Sequence, residues 1–165
     1  MQTIEAFWYK NILEIQVIDP AIFSTRNRIV YSRTIKIYQG IDNPIHIVTK
    51  NQDQKAVDLT GYDVQIDIQD PVNELTVDTF TVDFVTQNKG LGVFTIPKAV
   101  VNALDQRHYE FTVKLINLTT NDETPLYIDD NYNATLPVQV LSAYYNNTPL
   151  LPVDIYDGVV DAGEL

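Results

Sequence analysis

The sequence predicts an all-β fold: an Ig-like antiparallel β-sandwich with one short helix and extended N- and C-terminal arms. Three observations carry that prediction. Apolar and polar residues alternate along most segments, and polar turn clusters interrupt them at sandwich-like spacing. Helical periodicity, by contrast, is nearly confined to one short stretch. The chain has 165 residues, 45% of them hydrophobic and 20% charged, which is enough apolar surface for one domain with its own core.

Residues 1–31 come before the regular alternation. They hold the single Trp, Trp8, with Phe7, Tyr9, Ile12, Leu13, Ile15, Val17, Ile22 and Phe23. That much apolar surface is not left in water, so the segment either wraps its own domain or docks on a neighbour. We expect a docking arm over 1–31, anchored by Phe7, Trp8 and Tyr9 as aromatic contacts. The sandwich is expected over 32–145. Its strands read as 32-SRTIKIYQG-40, 44-PIHIVTK-50, 62-YDVQIDIQD-70, 75-LTVDTFTVDFV-85, 91-LGVFTIP-97, 108-HYEFTVKLIN-117 and 135-TLPVQVLSAYY-145. In 97-PKAVVNALDQ-106, Pro97 suits a first helical turn and Val100, Val101 and Leu104 share one side, so a short helix should cross between the sheets. Tyr109 then opens a strand at the place of a tyrosine corner. Residues 146–165, with Pro149, Pro152 and four closing acids, read as an acidic extended tail.

Charge narrows the partners. Net charge is −11, which disfavours non-specific binding to nucleic acid. The imbalance is uneven: Arg26, Arg28, Arg33 and Lys36 lie in a stretch free of acids, while the tail has no base. The three arginines are expected to meet acidic surface on a neighbour, including copies of the same chain. No apolar run reaches the roughly 20 residues of a membrane span, and the first residues do not read as a signal peptide. Without any Cys, disulfides and thiolate metal sites are excluded.

Catalytic chemistry finds little support. In 50-KNQDQKAVDLTGYDVQIDIQDP-71, Asp53, Asp58, Asp63, Asp67 and Asp70 suggest a metal or an acid/base pair. Their alternation with Val64, Ile66 and Ile68 makes them the wet face of a strand instead. Leu59 reads as a core plug and Gly61 as a hinge into the next strand. Asp122, Glu123 and 129-DDNYN-133 lack the loop pattern of an EF-hand, and His46 and His108 have no partner at metal-ligand spacing. No cofactor, metal site or catalytic residue is therefore assigned, and we expect no enzyme. Tyr144 and Tyr145 are assigned to a protein interface; a carbohydrate-binding module that stacks host glycans on Tyr-rich loops is the alternative.

The order NILEIQVIDP, TRNRIVYSR, IKIYQGIDNPI and AVDLTGYDVQIDIQDP, then FTIPKAVVNALDQRHYEFTVKLIN and PLYIDDNY, resembles small virion structural proteins of tailed, contractile-tailed phages of marine cyanobacteria. That resemblance spans about residues 8–145. More distantly, residues 40–118 are similar to the N-terminal Ig-like domain of phage baseplate upper proteins. The resemblance implies a non-enzymatic assembly part in neck, tail, baseplate or head decoration, with other virion proteins and copies of itself as partners. It also implies assembly into the virion in a bacterial cytoplasm, in keeping with the absence of Cys.

Overall fold

The alternation seen in the sequence becomes two stacked sheets in a computed structural model, which describes residues 1–5, 10–17, 34–51, 53–126 and 135–142. In chain order the elements are β1 (Asn11–Val17), β2 (Ile35–Gln39), β3 (Asn43–Asn51), β4 (Tyr62–Asp70), β5 (Leu75–Thr81), β6 (Asp83–Thr86), β7 (Leu91–Ile96), α1 (Lys98–Asn102), β8 (His108–Asn117), β9 (Glu123–Leu126) and β10 (Leu136–Ser142). One sheet runs β1-β3-β7-β6. The other runs β2-β10-β8-β4-β5, with β9 also on β8.

Every second residue of the central strands enters the space between the sheets. Ile45, Ile47, Phe94 and Ile96 come from the first sheet; Ile37, Val64, Ile66, Ile68, Phe111 and Val138 come from the second. Phe94 packs edge-on against Phe111, ring centroids 5.8 Å apart, and lies 6.0 Å from Phe80. The core is thus stitched across the sheets by aromatic contacts, whose preferred geometry is this offset or edge-on arrangement.

Both seams of the sandwich are held. On one side the chain itself crosses. The β5 strand ends at Thr81, the Val82 amide donates to the Val64 carbonyl (2.9 Å), and the chain continues as β6 in the other sheet. Gly92 makes the crossing possible, because a Cβ there would sit 2.4 Å from Val82 Cγ1. On the other side, Asn11 Nδ2 of β1 donates to the Lys36 carbonyl of β2 (2.9 Å).

The single strand expected over 75–85 is therefore two strands in different sheets. Pairing is mixed, since β1 lies parallel to β3 and β10 parallel to β2. The Glu123–Leu126 segment, which lies between two of the expected strands, is a short strand on β8. Within the expected arm, residues 11–17 form a strand of the sandwich and bury Leu13 and Ile15, so this stretch wraps its own domain. Arm residues 6–9 and 18–31, residues 32–33 and 143–145 of the expected sandwich, and the tail 146–165 lie outside the described residues.

Local chemistry fixes the end of the sandwich where β2 turns into β3. Buried Asn43 stands in for a ladder residue: its Oδ1 accepts the Tyr38 N–H (2.8 Å) and its Nδ2 donates to the Tyr38 carbonyl (2.8 Å). Asp42 Oδ1 accepts the Lys98 N–H (2.7 Å), satisfying one of the amides a helix start leaves open. Pro97 precedes that start with φ −64 and ψ 147, and Val101 and Leu104 are buried as the periodicity predicts. From there the chain crosses to β8, where the tyrosine corner is present: Tyr109 Oη accepts the Asp105 N–H (3.0 Å).

Candidate protein-contact surface

The aspartates around β4 sort by parity. Asp63 and Asp67 fall opposite the fully buried Val64, Ile66 and Ile68, and Asp67 accepts the Thr79 hydroxyl of β5 (2.7 Å). Asp53 sits in the polar turn, donating its N–H to Asn51 Oδ1 (2.9 Å). Asp58 accepts both the hydroxyl and the N–H of Thr60, which together hold its carboxyl below the usual carboxylate range. Leu59 is buried and Gly61 takes φ 85, as core plug and hinge require.

Asp70 departs from the expectation. The same period of two that wets Asp63 and Asp67 turns Asp70 inward, where it is 5% exposed. Arg107 grips both of its oxygens, one contact at 2.9 Å, while Asn73 Nδ2 and the Val72 and Asn73 N–H groups complete the set. The guanidinium beside it holds the Asp70 carboxyl far below its ordinary range, against burial, which pushes it up. Arg107 also lies 4.3 Å over the Tyr109 ring. With its acceptor sites filled, this carboxylate clamps the β4–β5 turn to the loop before β8 and offers no base for catalysis.

The outward face of the sheet β1-β3-β7-β6 has a different character. Register places Ile12, His46, Val93 and Asp83 in one row, and Glu14, Val48, Leu91 and Thr86 in the next. The neighbours that alternate with them on β3 and β7 are buried, so these side chains point away from the core. Ile12 is 58% exposed, and Val85, displaced at the irregularity in β6, is 72% exposed. Val48, Leu91 and Val93 lie between them, partly exposed. At one rim Lys50 pairs with Glu14 (3.0 Å). Ile12, Val48, Leu91, Val93 and Val85 form an apolar strip among Glu14, His46, Asp83 and Thr86, and exposed apolar patches often mark contact sites. Two apolar parities in 91-LGVFTI-96 are its signal in the sequence: Gly92, Phe94 and Ile96 fill the core while Leu91 and Val93 face out.

The interface residues read from the sequence (Phe7, Trp8, Tyr9, Arg26, Arg28, Arg33, Tyr144 and Tyr145) all lie outside the described residues, as do Tyr127, Tyr132 and 129–133. Asp122 and Glu123 are described and engaged elsewhere, with Thr120 and with Lys114. Among the described residues no three His, Cys, Asp or Glu side chains gather as metal ligands, and no helix is long and apolar enough to cross a membrane.

No family model matches the chain, and no curated protein matches it either. Among solved structures, the chain is similar to the N-terminal domain of ORF48 of phage TP901-1. That match has 7% identity and a TM-score of 0.47, and covers 81% of this chain and 97% of that one.

Proposed function

We propose that this protein is a non-enzymatic structural part of a phage particle, acting through contacts with other virion proteins and with copies of itself. The observation that carries the reading is the outward apolar face of β1-β3-β7-β6. A sheet that buries one side and leaves Ile12, Val48, Leu91, Val93 and Val85 on the other gains free energy when protein covers it. The sequence resemblance to virion structural proteins of contractile-tailed cyanobacterial phages supports the setting. Three of the five aspartates that most suggested chemistry also support it, because Asp58, Asp67 and Asp70 are engaged in holding turns and strands together.

The test is incorporation. Purified particles should contain the protein at a fixed copy number by quantitative mass spectrometry, and Leu91→Glu/Val93→Glu, which charges the face without entering the core, should lower that number at least fivefold. A protein absent from washed particles, or one incorporated normally by the charged variant, refutes the proposal.

A further inference from the structure

The edge of a sheet is a contact site of another kind, because its outer strand offers unpaired N–H and C=O groups to any extended segment. Among the described strands β5 pairs only with β4, so its outer side is an edge of the second sheet. Its sequence suits strand addition. The segment 75-LTVDTFT-81 is rich in Thr, Val and Phe and holds neither Lys nor Pro, residues that commonly blunt an edge. The edge strands β6 and β9 are shorter, at four residues each, β6 with an irregular register and β9 with Pro125.

The direction of each backbone group on β5 follows from one hydrogen bond. The Val82 N–H donates to the Val64 carbonyl (2.9 Å), and the register that pairs Gln65 with Thr81 sets these two residues opposite each other. Bonded and non-bonded pairs alternate along an antiparallel ladder. Phe80 therefore turns its N–H and C=O toward β4, while Thr79 and Thr81 turn theirs outward. The β5 strand of a second copy fits that edge. Antiparallel pairing centred on Phe80 would set each Thr79 against Thr81 of the copy as a bonded pair, with the two Phe80 residues side by side on the core face.

One side chain stands in the way. Asp78 Oδ1 accepts the Thr79 N–H (2.8 Å), so the donor that the copy's Thr81 carbonyl requires is already taken. Asp78 also has the inward parity of Phe80, since it lies opposite the buried Ile68. In the paired register it would face Val82 of the copy, which is 3% exposed, and a carboxylate placed there loses water without gaining a partner. Next to it, the shift in register between Ile68 and Gln69 leaves Val77 without a partner on β4. A bulge and an inward-pointing charge are both devices that close a sheet edge.

We propose that Asp78 is an edge guard: it closes β5 to the β5 strand of a second copy, so that neighbouring copies do not merge their larger sheets. The proposal does not depend on which surface the particle uses.

The test compares Asp78→Thr, a strand former without the carboxylate, with Asp78→Asn, which keeps the acceptor oxygen and drops the charge. Both are made in the full chain carrying Leu91→Glu/Val93→Glu, which suppresses contacts through the outward face of β1-β3-β7-β6. With Asp78 present, Thr81 amide exchange should not change over a hundredfold range of concentration. Asp78→Thr should raise the mean mass in sedimentation at least twofold over that parent at the top of the range, with Thr81 exchange slowed at least tenfold. Asp78→Asn should associate more than the parent and less than Asp78→Thr, and it carries the test alone if Asp78→Thr does not fold. Variants that associate no more than the parent overturn the proposal, as does association that leaves Thr81 exchange unchanged. Thr81 protection that already grows with concentration when Asp78 is present overturns it too. Equal association by the two variants refutes the share given to the captured Thr79 N–H.

Discussion

Phe94 is where the two sheets are most directly joined, and its truncation gives a sharp test of the core. The ring reaches from β7 to Phe111 of β8 and Phe80 of β5, and the residue is 2% exposed. Phe94→Ala removes about 2 kcal/mol of transfer free energy. It also opens a cavity of roughly 100 Å³, which at about 24 cal/mol per Å³ costs about 2.4 kcal/mol when the walls do not relax. Both sheets are pinned at their seams, so relaxation should be small and the loss should total about 4 kcal/mol. For a chain of this length that lowers Tm by about 8–16 °C. Urea unfolding followed by fluorescence and by circular dichroism measures it, with unchanged m as the check that the transition stays two-state. Phe94→Leu keeps most of the volume and should cost about 1–2 kcal/mol. A double-mutant cycle of Phe94→Leu with Phe111→Leu should return a coupling of about 0.5–1.5 kcal/mol. A loss below about 2 kcal/mol for Phe94→Ala would show that the sheets close over the gap and that the seams are not rigid.

Three smaller perturbations probe local geometry. Tyr109→Phe removes the acceptor for the Asp105 N–H and should cost about 1 kcal/mol, with faster hydrogen exchange at the Asp105 amide; unchanged exchange would show that the corner holds nothing. Gly92→Ala forces a Cβ against Val82 and should cost about 1–3 kcal/mol, partly recovered by adding Val82→Ala; strict additivity in urea unfolding would contradict a clash. Asp70 has a folded pKa depressed below its unfolded value of about 3.9, so its contribution is complete above that pH and is lost as pH falls further. The gap in urea midpoint between the parent and Asp70→Asn should therefore be widest near neutrality and shrink below about pH 4, and parallel curves would show that the clamp contributes no stability.

The features legible in the sequence are those that depend on near neighbours in the chain. Val64, Ile66 and Ile68 announce their face by alternation, Val101 and Leu104 by helical spacing, and Gly61 by the turn it must make. Most of the misses depend on residues distant in sequence. Nothing near Val82 says that the strand changes sheets there; the room for it is left by Gly92 on another strand. Asp70 reads with its wet neighbours although its parity is that of the core, and the Arg107 that lets a carboxylate stay there is brought by the loop before β8. Residues 11–17 alternate well enough, but their partner is β3 in a parallel pairing that only the folded topology creates. The contact surface is half legible: β7 shows two apolar parities, while the row from Ile12 to Val93 requires the register.

The parallel pairing of β10 with β2 has a consequence for the order in which this protein comes into being. It joins Val138 to Ile35 and Val140 to Ile37, and the same strand closes β8 through Leu136 and Val138. On the ribosome β2 must therefore wait, with no ladder partner among the described strands, until β3 to β9 have been synthesised.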